Sequence, residues 1–221
     1  MDFRAVMKFK AISFLIGLTS MCAPASSVYN FSSAPLATDS SLSLGFEFST
    51  NTAITVASLG YFDADGDGFA SAHTVGIFDG AGHLVVSTTL AAGAGDPLDG
   101  QFRFKAITPI TLAAGQTYTL AATTGGAADA WAYGDPGTTL ADFIVDPRIS
   151  IGQEAARFEY QGDDMLRDPC EHFRYMLYAG PTFAIASTAT PEPGSATLLG
   201  MAGLLAVTAF IAARRLAKSR I

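Results

Sequence analysis

Hydrophobic and polar residues alternate with a period of two in short runs between residues 40 and 186. Clusters of glycine, aspartate and proline separate the runs, and none of them sustains the 3.6-residue period of an amphipathic helix. The pattern therefore predicts an all-β domain. Its clearest strands are Leu42–Phe48, Ile54–Phe62, Thr74–Phe78, Leu84–Leu90, Thr117–Ala122 and Phe173–Tyr178.

Turn-forming residues separate these strands at short intervals. Asp79-Gly80-Ala81-Gly82 lies between two of them. It predicts a hairpin, because glycine adopts the positive φ angles that tight hairpin turns require. Several short strands with frequent turns are typical of a β-sandwich. The prediction is a single β-sandwich ectodomain over residues 26–186, of jelly-roll or immunoglobulin-like type.

The first 25 residues have the layout of a secretory signal peptide. Three basic residues precede a short apolar stretch over residues 11–18, and Ala23-Pro24-Ala25 matches a small-residue cleavage site. The apolar stretch is much shorter than the ~20 residues that span a bilayer. Residues 1–25 are therefore predicted to form a signal helix that is removed during export.

The C-terminal part combines a linker over 187–193, an uncharged apolar run over 194–213 and a basic tail over 214–221. Twenty helical residues extend about 30 Å at roughly 1.5 Å each, which matches the hydrocarbon core of a bilayer. Basic tails stay in the cytoplasm by the positive-inside rule. The run is therefore predicted to be a transmembrane helix, with the tail cytoplasmic and the middle domain exported.

Pro191-Glu192-Pro193, the single apolar helix and the basic cluster that begins with Arg214 and Arg215 follow one another in that order. Together they resemble the PEP-CTERM sorting signal of Gram-negative bacteria. The resemblance implies transient processing by a membrane exosortase that cleaves near Pro-Glu-Pro. A membrane-anchored precursor would then become a mature protein at the cell surface or outside the cell. An ordinary C-terminal anchor is the alternative.

The middle domain is strongly acidic. It carries six basic residues against 18 acidic ones, a net charge of −12, because the other seven basic residues lie in the terminal segments. Such a surface repels phosphate backbones, so no nucleic-acid partner is expected.

Three local patterns of the middle domain are familiar: the segment from Leu59 to Asp79, the segment from Thr111 to Tyr118, and Asp146-Pro147-Arg148-Ile149. Together they resemble a sandwich domain that recurs in PEP-CTERM and other secreted bacterial proteins. That domain is similar in style to uncharacterised Ig-like adhesin and carbohydrate-associated modules. The resemblance implies a fold and no specific chemistry.

Asp63-Ala64-Asp65-Gly66-Asp67-Gly68 matches the first half of an EF-hand calcium loop. Carboxylates at positions 1, 3 and 5 suit a hard cation. The twelfth position is Thr74 where the loop needs a bidentate glutamate, and strands rather than helices flank the segment. A looser Ca²⁺ site at Asp63, Asp65 and Asp67 and a plain Asp/Gly turn both remain open.

Trp131 and Tyr133 lie in a glycine- and alanine-rich segment, where an exposed ring could stack on a sugar. The alternative is that Trp131, the only tryptophan, anchors the core.

A second acidic stretch contains Asp163, Asp164, Asp168 and Glu171, which could supply paired carboxylates for glycoside hydrolysis. A solvated loop is the alternative. His73, His83 and His172 are too dispersed for a metal-ligand spacing and are expected at strand ends or on the surface. Cys170, the only cysteine outside the signal peptide, is expected to be a small buried residue.

No hydrolase, phosphate-binding or dinucleotide-binding motif is present in the sequence. The chain is therefore predicted to be a non-catalytic cell-surface or extracellular-matrix protein, linked to exopolysaccharide or adhesion. The alternatives are a calcium- or carbohydrate-binding module and a secreted hydrolase.

Overall fold

The computed structural model describes residues 26–38, 41–126, 129–160, 165–173 and 176–186. This part of the chain consists of strands joined by turns and loops, and it contains no helix. The strands are β1 (Tyr29–Asn30), β2 (Leu36–Ala37), β3 (Leu42–Thr50), β4 (Ile54–Phe62), β5 (His73–Asp79), β6 (Leu84–Leu90), β7 (Leu98–Asp99), β8 (Phe102–Leu112), β9 (Thr117–Thr123), β10 (Trp131–Gly134), β11 (Ile144–Val145), β12 (Ile149–Tyr160), β13 (Glu171–Phe173), β14 (Leu177–Ala179) and β15 (Pro181–Ile185).

The all-β prediction is confirmed. Five of the six predicted strands are present with nearly the predicted bounds, and β4 and β6 match them at both ends. The sixth prediction, one strand over Phe173–Tyr178, is wrong. Phe173 ends β13, which pairs with β12, whereas Leu177 begins β14, which pairs with β10.

Two larger sheets organise the domain. One has six strands in the order β13-β12-β3-β9-β5-β6, and the other has four in the order β15-β4-β8-β7. Neighbouring strands in both are antiparallel. Two smaller sheets, β1-β11 and β14-β10-β2, complete the pairing.

Aromatic residues from both larger sheets share one hydrophobic core. Phe48 of β3 packs against Phe183 of β15 with ring centroids 5.1 Å apart, and Tyr29 packs edge-to-face on Phe46 and Phe102. Two antiparallel sheets with a common core are consistent with a β-sandwich.

The predicted hairpin between β5 and β6 is present. Gly82 has a φ of 78°, and its N–H donates to the Asp79 carbonyl at 2.9 Å. The Asp79 carboxylate also accepts from the backbone N–H groups of Ala81 and His83, so the turn is closed from its first residue.

The predicted signal helix (1–25), linker (187–193), transmembrane helix (194–213) and basic tail (214–221) lie outside the described residues. Within the described ranges, no helix has the length and apolar character needed to cross a membrane.

Candidate functional site

The aspartate-rich loop that follows β4 folds around its first carboxylate. Asp63 is 5 % exposed. Its Oδ1 accepts from the Gly66 N–H and its Oδ2 from the Gly68 N–H, both at 3.1 Å. Gly66 and Gly68 have φ angles of 71° and 108°, which glycine adopts without strain. Asp65 and Asp67 are exposed.

A buried arginine completes this loop. Arg103 of β8 is 4 % exposed, and its Nε donates to Asp63 Oδ2 at 2.6 Å. The same guanidinium donates to the carbonyl oxygens of Gly66 and Asp96 at 2.9 and 2.8 Å, and to that of Ala94 at 3.2 Å. Arg103 therefore supplies positive charge to the first carboxylate of the loop and connects the loop to the segment between β6 and β7.

An acidic cleft of about 470 Å³ opens beside the loop, lined by residues that include Asp63, Asp65, Asp67 and Asp129. Among the described residues, no group of three or more His, Cys, Asp or Glu side chains could hold a metal ion. Asp63 already has a guanidinium and two backbone donors. The Ca²⁺ site at Asp63, Asp65 and Asp67 stays a prediction.

His73 contacts Asp129, one of the carboxylates that line the cleft. It begins β5, as expected for a strand-end residue, and its side chain is fully buried. Its Nδ1 donates to the Thr123 carbonyl at 2.9 Å, and its Nε2 lies 3.1 Å from Asp129 Oδ2. The ring stacks on Tyr61 with centroids 4.1 Å apart. The two carboxylates of the cleft that are held in place, Asp63 and Asp129, thus serve to fasten loops.

Trp131 and Tyr133 both lie on β10, but only one of them is deeply buried. Trp131 is 7 % exposed and packs edge-to-face on Tyr178 at 5.1 Å, whereas Tyr133 is half-buried. The two rings are 5.5 Å apart. The burial fits the core-anchor interpretation of Trp131 and leaves stacking on a sugar as a prediction.

A small cavity, here called the aromatic cavity, lies against Trp131. It has a volume of about 170 Å³ and is lined by Leu42, Leu44, Trp131, Phe158, Tyr160, Glu171 and Tyr178. The Trp131 Nε1–H is buried and has no acceptor among the described residues. A buried donor without an acceptor costs about 1–3 kcal/mol. The sequence analysis named two of the lining residues, Trp131 and Glu171, but it assigned them to different candidate sites.

The family of the chain is known from comparison. Residues 31–164 match the family described as "Domain of unknown function (DUF4082)", which is more than half of the chain. The chain belongs to this family. No curated protein and no solved structure gives a significant match.

The second acidic stretch of this DUF4082 protein is only partly described. Asp163 and Asp164 lie outside the described residues, whereas Glu171 is exposed and lines the aromatic cavity. Asp168 is half-buried, and its Oδ1 is buried without a hydrogen-bond partner in the described part of the chain. Burial raises the pKa of Asp168, against the lowering effects of a Thr119 hydrogen bond and of Arg157.

Asp168→Asn is expected to stabilise the DUF4082 domain at pH 7 by less than about 1 kcal/mol, since solvent screens this half-buried group. The folded state binds the Asp168 proton more tightly than the unfolded state. The wild-type free energy of unfolding therefore falls as the pH rises from the ordinary aspartate pKa of 3.8 through the raised pKa of Asp168. Urea unfolding at pH 3 and pH 7 measures the difference, which should shrink at pH 3.

Asp146→Asn is the matched control with the opposite sign. A hydrogen bond from Arg148 lowers the pKa of Asp146, so this carboxylate contributes stability above the ordinary aspartate pKa of 3.8 and loses it as the pH falls through the lowered pKa. The control variant should be less stable than wild type at pH 7. Equal effects of the two substitutions at pH 7 would contradict the assignment for Asp168.

Two remaining candidates of the DUF4082 chain lie at the surface. His83 is 80 % exposed and pairs with Asp79, as expected for a surface histidine. Cys170 is exposed, so the expectation of a buried cysteine is wrong. Cys170 immediately precedes β13, where the chain is at the edge of the six-stranded sheet. The side chain of His172 lies outside what the structure describes.

Proposed function

We propose that this DUF4082 protein is an exported, non-catalytic cell-surface or extracellular-matrix protein. It is sorted by its PEP-CTERM-like tail and is linked to exopolysaccharide or adhesion. The order of segments carries the proposal: a signal peptide, an acidic all-β domain, Pro191-Glu192-Pro193, an apolar run and a basic tail. Within the proposal, the domain is a β-sandwich of jelly-roll or immunoglobulin-like type.

The ends of the described domain support a processing role for the flanking segments. Ser27 forms a β-bridge with Ala184, and the Val28 N–H donates to the Phe183 carbonyl at 3.1 Å. Both ends therefore lie side by side. Signal-peptide cleavage and exosortase cleavage would act on extensions that leave the domain at the same place.

The positions of the carboxylates support a non-catalytic domain. Asp63 and Asp146 are paired with arginines, and Asp129 lies 3.1 Å from His73 Nε2 and accepts from the backbone N–H groups of Ala70 and Ser71. A carboxylate held in this way positions loops. General acid or base work needs two groups at a defined separation across a cleft.

The first test is the intact mass and cell fraction of the mature protein from an exosortase-bearing host. Wild type is expected to begin near Ser26, to end near Pro191 and to be found outside the inner membrane. Replacing Pro191, Glu192 and Pro193 with alanine should leave residues 214–221 on the protein and hold it in the inner membrane, because the protease recognition segment is lost.

The matched control replaces Ser187, Thr188 and Thr190 with alanine, which changes three linker residues and keeps Pro-Glu-Pro. It should be processed like wild type. A wild-type product that retains Arg214 to Ile221 in the inner membrane would make the tail a simple anchor and would contradict the sorting proposal.

One observation favours carbohydrate binding as a second function of the same exported protein. The aromatic cavity is lined by four aromatic residues, of which Tyr160 is exposed, and by one carboxylate, that of Glu171. Ligand sites in proteins are concave, mostly apolar and equipped with a few polar groups that fix orientation.

A further inference from the structure

We propose that His73 is a buried imidazolium paired with the Asp129 carboxylate, and that this pair is a proton-dependent link between two segments that line the acidic cleft. One segment contains Phe69 and Ala70, and the other contains Asp129 and Ala130. While His73 carries both ring protons, the pair holds the two segments together. When the pH rises and one proton leaves, this part of the cleft lining loosens.

The hydrogen-bond partners of the His73 ring determine its protonation. Nδ1 lies 2.9 Å from the carbonyl oxygen of Thr123, which can only accept, so Nδ1 carries a proton. Nε2 lies 3.1 Å from Asp129 Oδ2. A neutral imidazole has one N–H group and one lone pair, so its Nε2 lone pair would point at the lone pairs of a carboxylate. A second ring proton removes this repulsion and makes the contact an ion pair.

The packing around His73 fixes which ring atoms face these oxygens. The imidazole stacks on Tyr61 with ring centroids 4.1 Å apart, and Phe69 packs edge-on at 4.8 Å. A Cβ atom at Gly125 would lie 3.0 Å from His73 Cε1, so the backbone approaches the ring closely on that edge. Carbon atoms of the ring thus meet apolar or backbone neighbours, and both nitrogens meet oxygen atoms.

The surroundings of His73 compensate a buried positive charge. The Asp129 carboxylate is the counter-ion, and it also accepts from the N–H groups of Ala70 and Ser71 at 2.8 and 2.9 Å, as suits an ionised group. The face of Tyr61 attracts a cation. Asp129 and Tyr61 are the titratable side chains that contact the ring among the described residues. Burial, and then the charge of Asp129, raises the pKa of Tyr61 far above its usual range, so Tyr61 stays neutral.

Asp63 provides a comparison within the same cleft. Its carboxylate accepts from the N–H groups of Gly66 and Gly68, just as Asp129 accepts from two others. The partner of Asp63 is Arg103, however, and a guanidinium does not lose its proton in proteins. The cleft therefore combines one loop held through a permanent cation with one held through a cation that a base can neutralise.

Histidine side-chain ¹⁵N chemical shifts read the protonation directly, because an unprotonated ring nitrogen resonates far downfield of a protonated one. The full chain, labelled with ¹⁵N-histidine and held in detergent, contains three histidines, and His83→Gln and His172→Gln variants assign the signals. At about pH 7.5, His73 is expected to show two protonated nitrogens, whereas the exposed His83 is mostly neutral. An unprotonated Nε2 of His73 at this pH would overturn the proposal.

Asp129→Asn tests the partner of His73. The asparagine amide can donate to an unprotonated Nε2, so the contact no longer needs the second ring proton, and His73 should become neutral at the same pH. Asp79→Asn is the matched control, because Asp79 pairs with His83, and it should leave the His73 signals unchanged. A His73 that stays doubly protonated in Asp129→Asn would contradict the pairing. The wild-type spectrum decides the protonation even where this variant does not fold.

Amide hydrogen exchange measures the link between the two segments. Between pH 7 and pH 9.5, the opening of the Ala70 and Ser71 amides should increase about tenfold, after correction for the faster intrinsic exchange. The Gly66 and Gly68 amides, held by Asp63, should change by less than about twofold. Equal changes in both pairs of amides, or no change in either, would overturn the link. None of these results depends on tail processing or on a bound sugar.

Discussion

Arg103→Met is expected to lower the free energy of unfolding by about 3–5 kcal/mol. The substitution keeps an unbranched apolar side chain in place of the aliphatic part of arginine and removes the guanidinium with its charge. Asp63, which is 5 % exposed, would then be a buried carboxylate without its counter-ion. The carbonyl oxygens of Gly66, Ala94 and Asp96 would also lose their shared donor. Urea unfolding of the purified mature protein, followed by circular dichroism, measures the loss.

Arg148→Met is the matched control for this prediction. Arg148 pairs with Asp146 at 2.7 Å, but the two side chains are 43 % and 22 % exposed. Exposed ion pairs contribute about 0–1 kcal/mol, because water solvates each charge when the other is removed. Similar losses for the two arginine variants would show that burial of the Asp63–Arg103 pair has no special effect.

The double variant Asp63→Asn/Arg103→Met separates the ion pair from the rest of the loop. Asparagine keeps a side-chain oxygen for one of the N–H groups of Gly66 and Gly68 and removes the unpaired charge. The double variant should therefore recover part of the stability lost in Arg103→Met. A double variant that is less stable than Arg103→Met would contradict the view that an uncompensated buried charge causes the loss.

Local pattern predicted the short strands well, because alternation and turn chemistry act over a few residues. The two longest strands, β8 and β12, were not predicted, and both have an irregular register with their neighbours. The register of β8 with β4 shifts between Val56 and Ser58, opposite the segment that contains Pro109, so the proline sits where the ladder is already interrupted. The register of β12 with β3 shifts between Ile151 and Ala156, where Gly152 breaks the alternation.

The candidate sites depend on contacts that the local sequence pattern does not contain. The aspartate loop was recognisable as a sequence motif. The buried guanidinium that pairs with Asp63 belongs to Arg103, which lies 40 positions further along the chain. One signal was available: Arg103 is one of six basic residues in an acidic domain, and Phe102 and Phe104 flank it in a strand-like run. The aromatic cavity gave no such signal, because its lining comes from five separate strands.

Gly45→Ala is expected to destabilise the domain by about 3 kcal/mol, although alanine usually stabilises a strand relative to glycine. Gly45 lies in β3 between β9 and β12, opposite Ala121 and Arg157. A Cβ atom at Gly45 would overlap the carbonyl oxygen of Leu120 and lie 2.9 Å from Ala121 Cα. These are backbone atoms in the middle of the six-stranded sheet, so relief requires displacement of β9. Thermal unfolding of the mature protein measures the effect.

Gly152→Ala provides the matched control, because Gly152 lies in the neighbouring strand β12 and a Cβ there meets no atom within 4 Å. It should change the free energy of unfolding by no more than about 0.5 kcal/mol. A difference between the two variants would then reflect the close approach of β3 to β9 and not the loss of glycine as such. If Gly45→Ala unfolds like Gly152→Ala, the centre of the sheet can adjust to a methyl group, and the close strand contact does not limit stability.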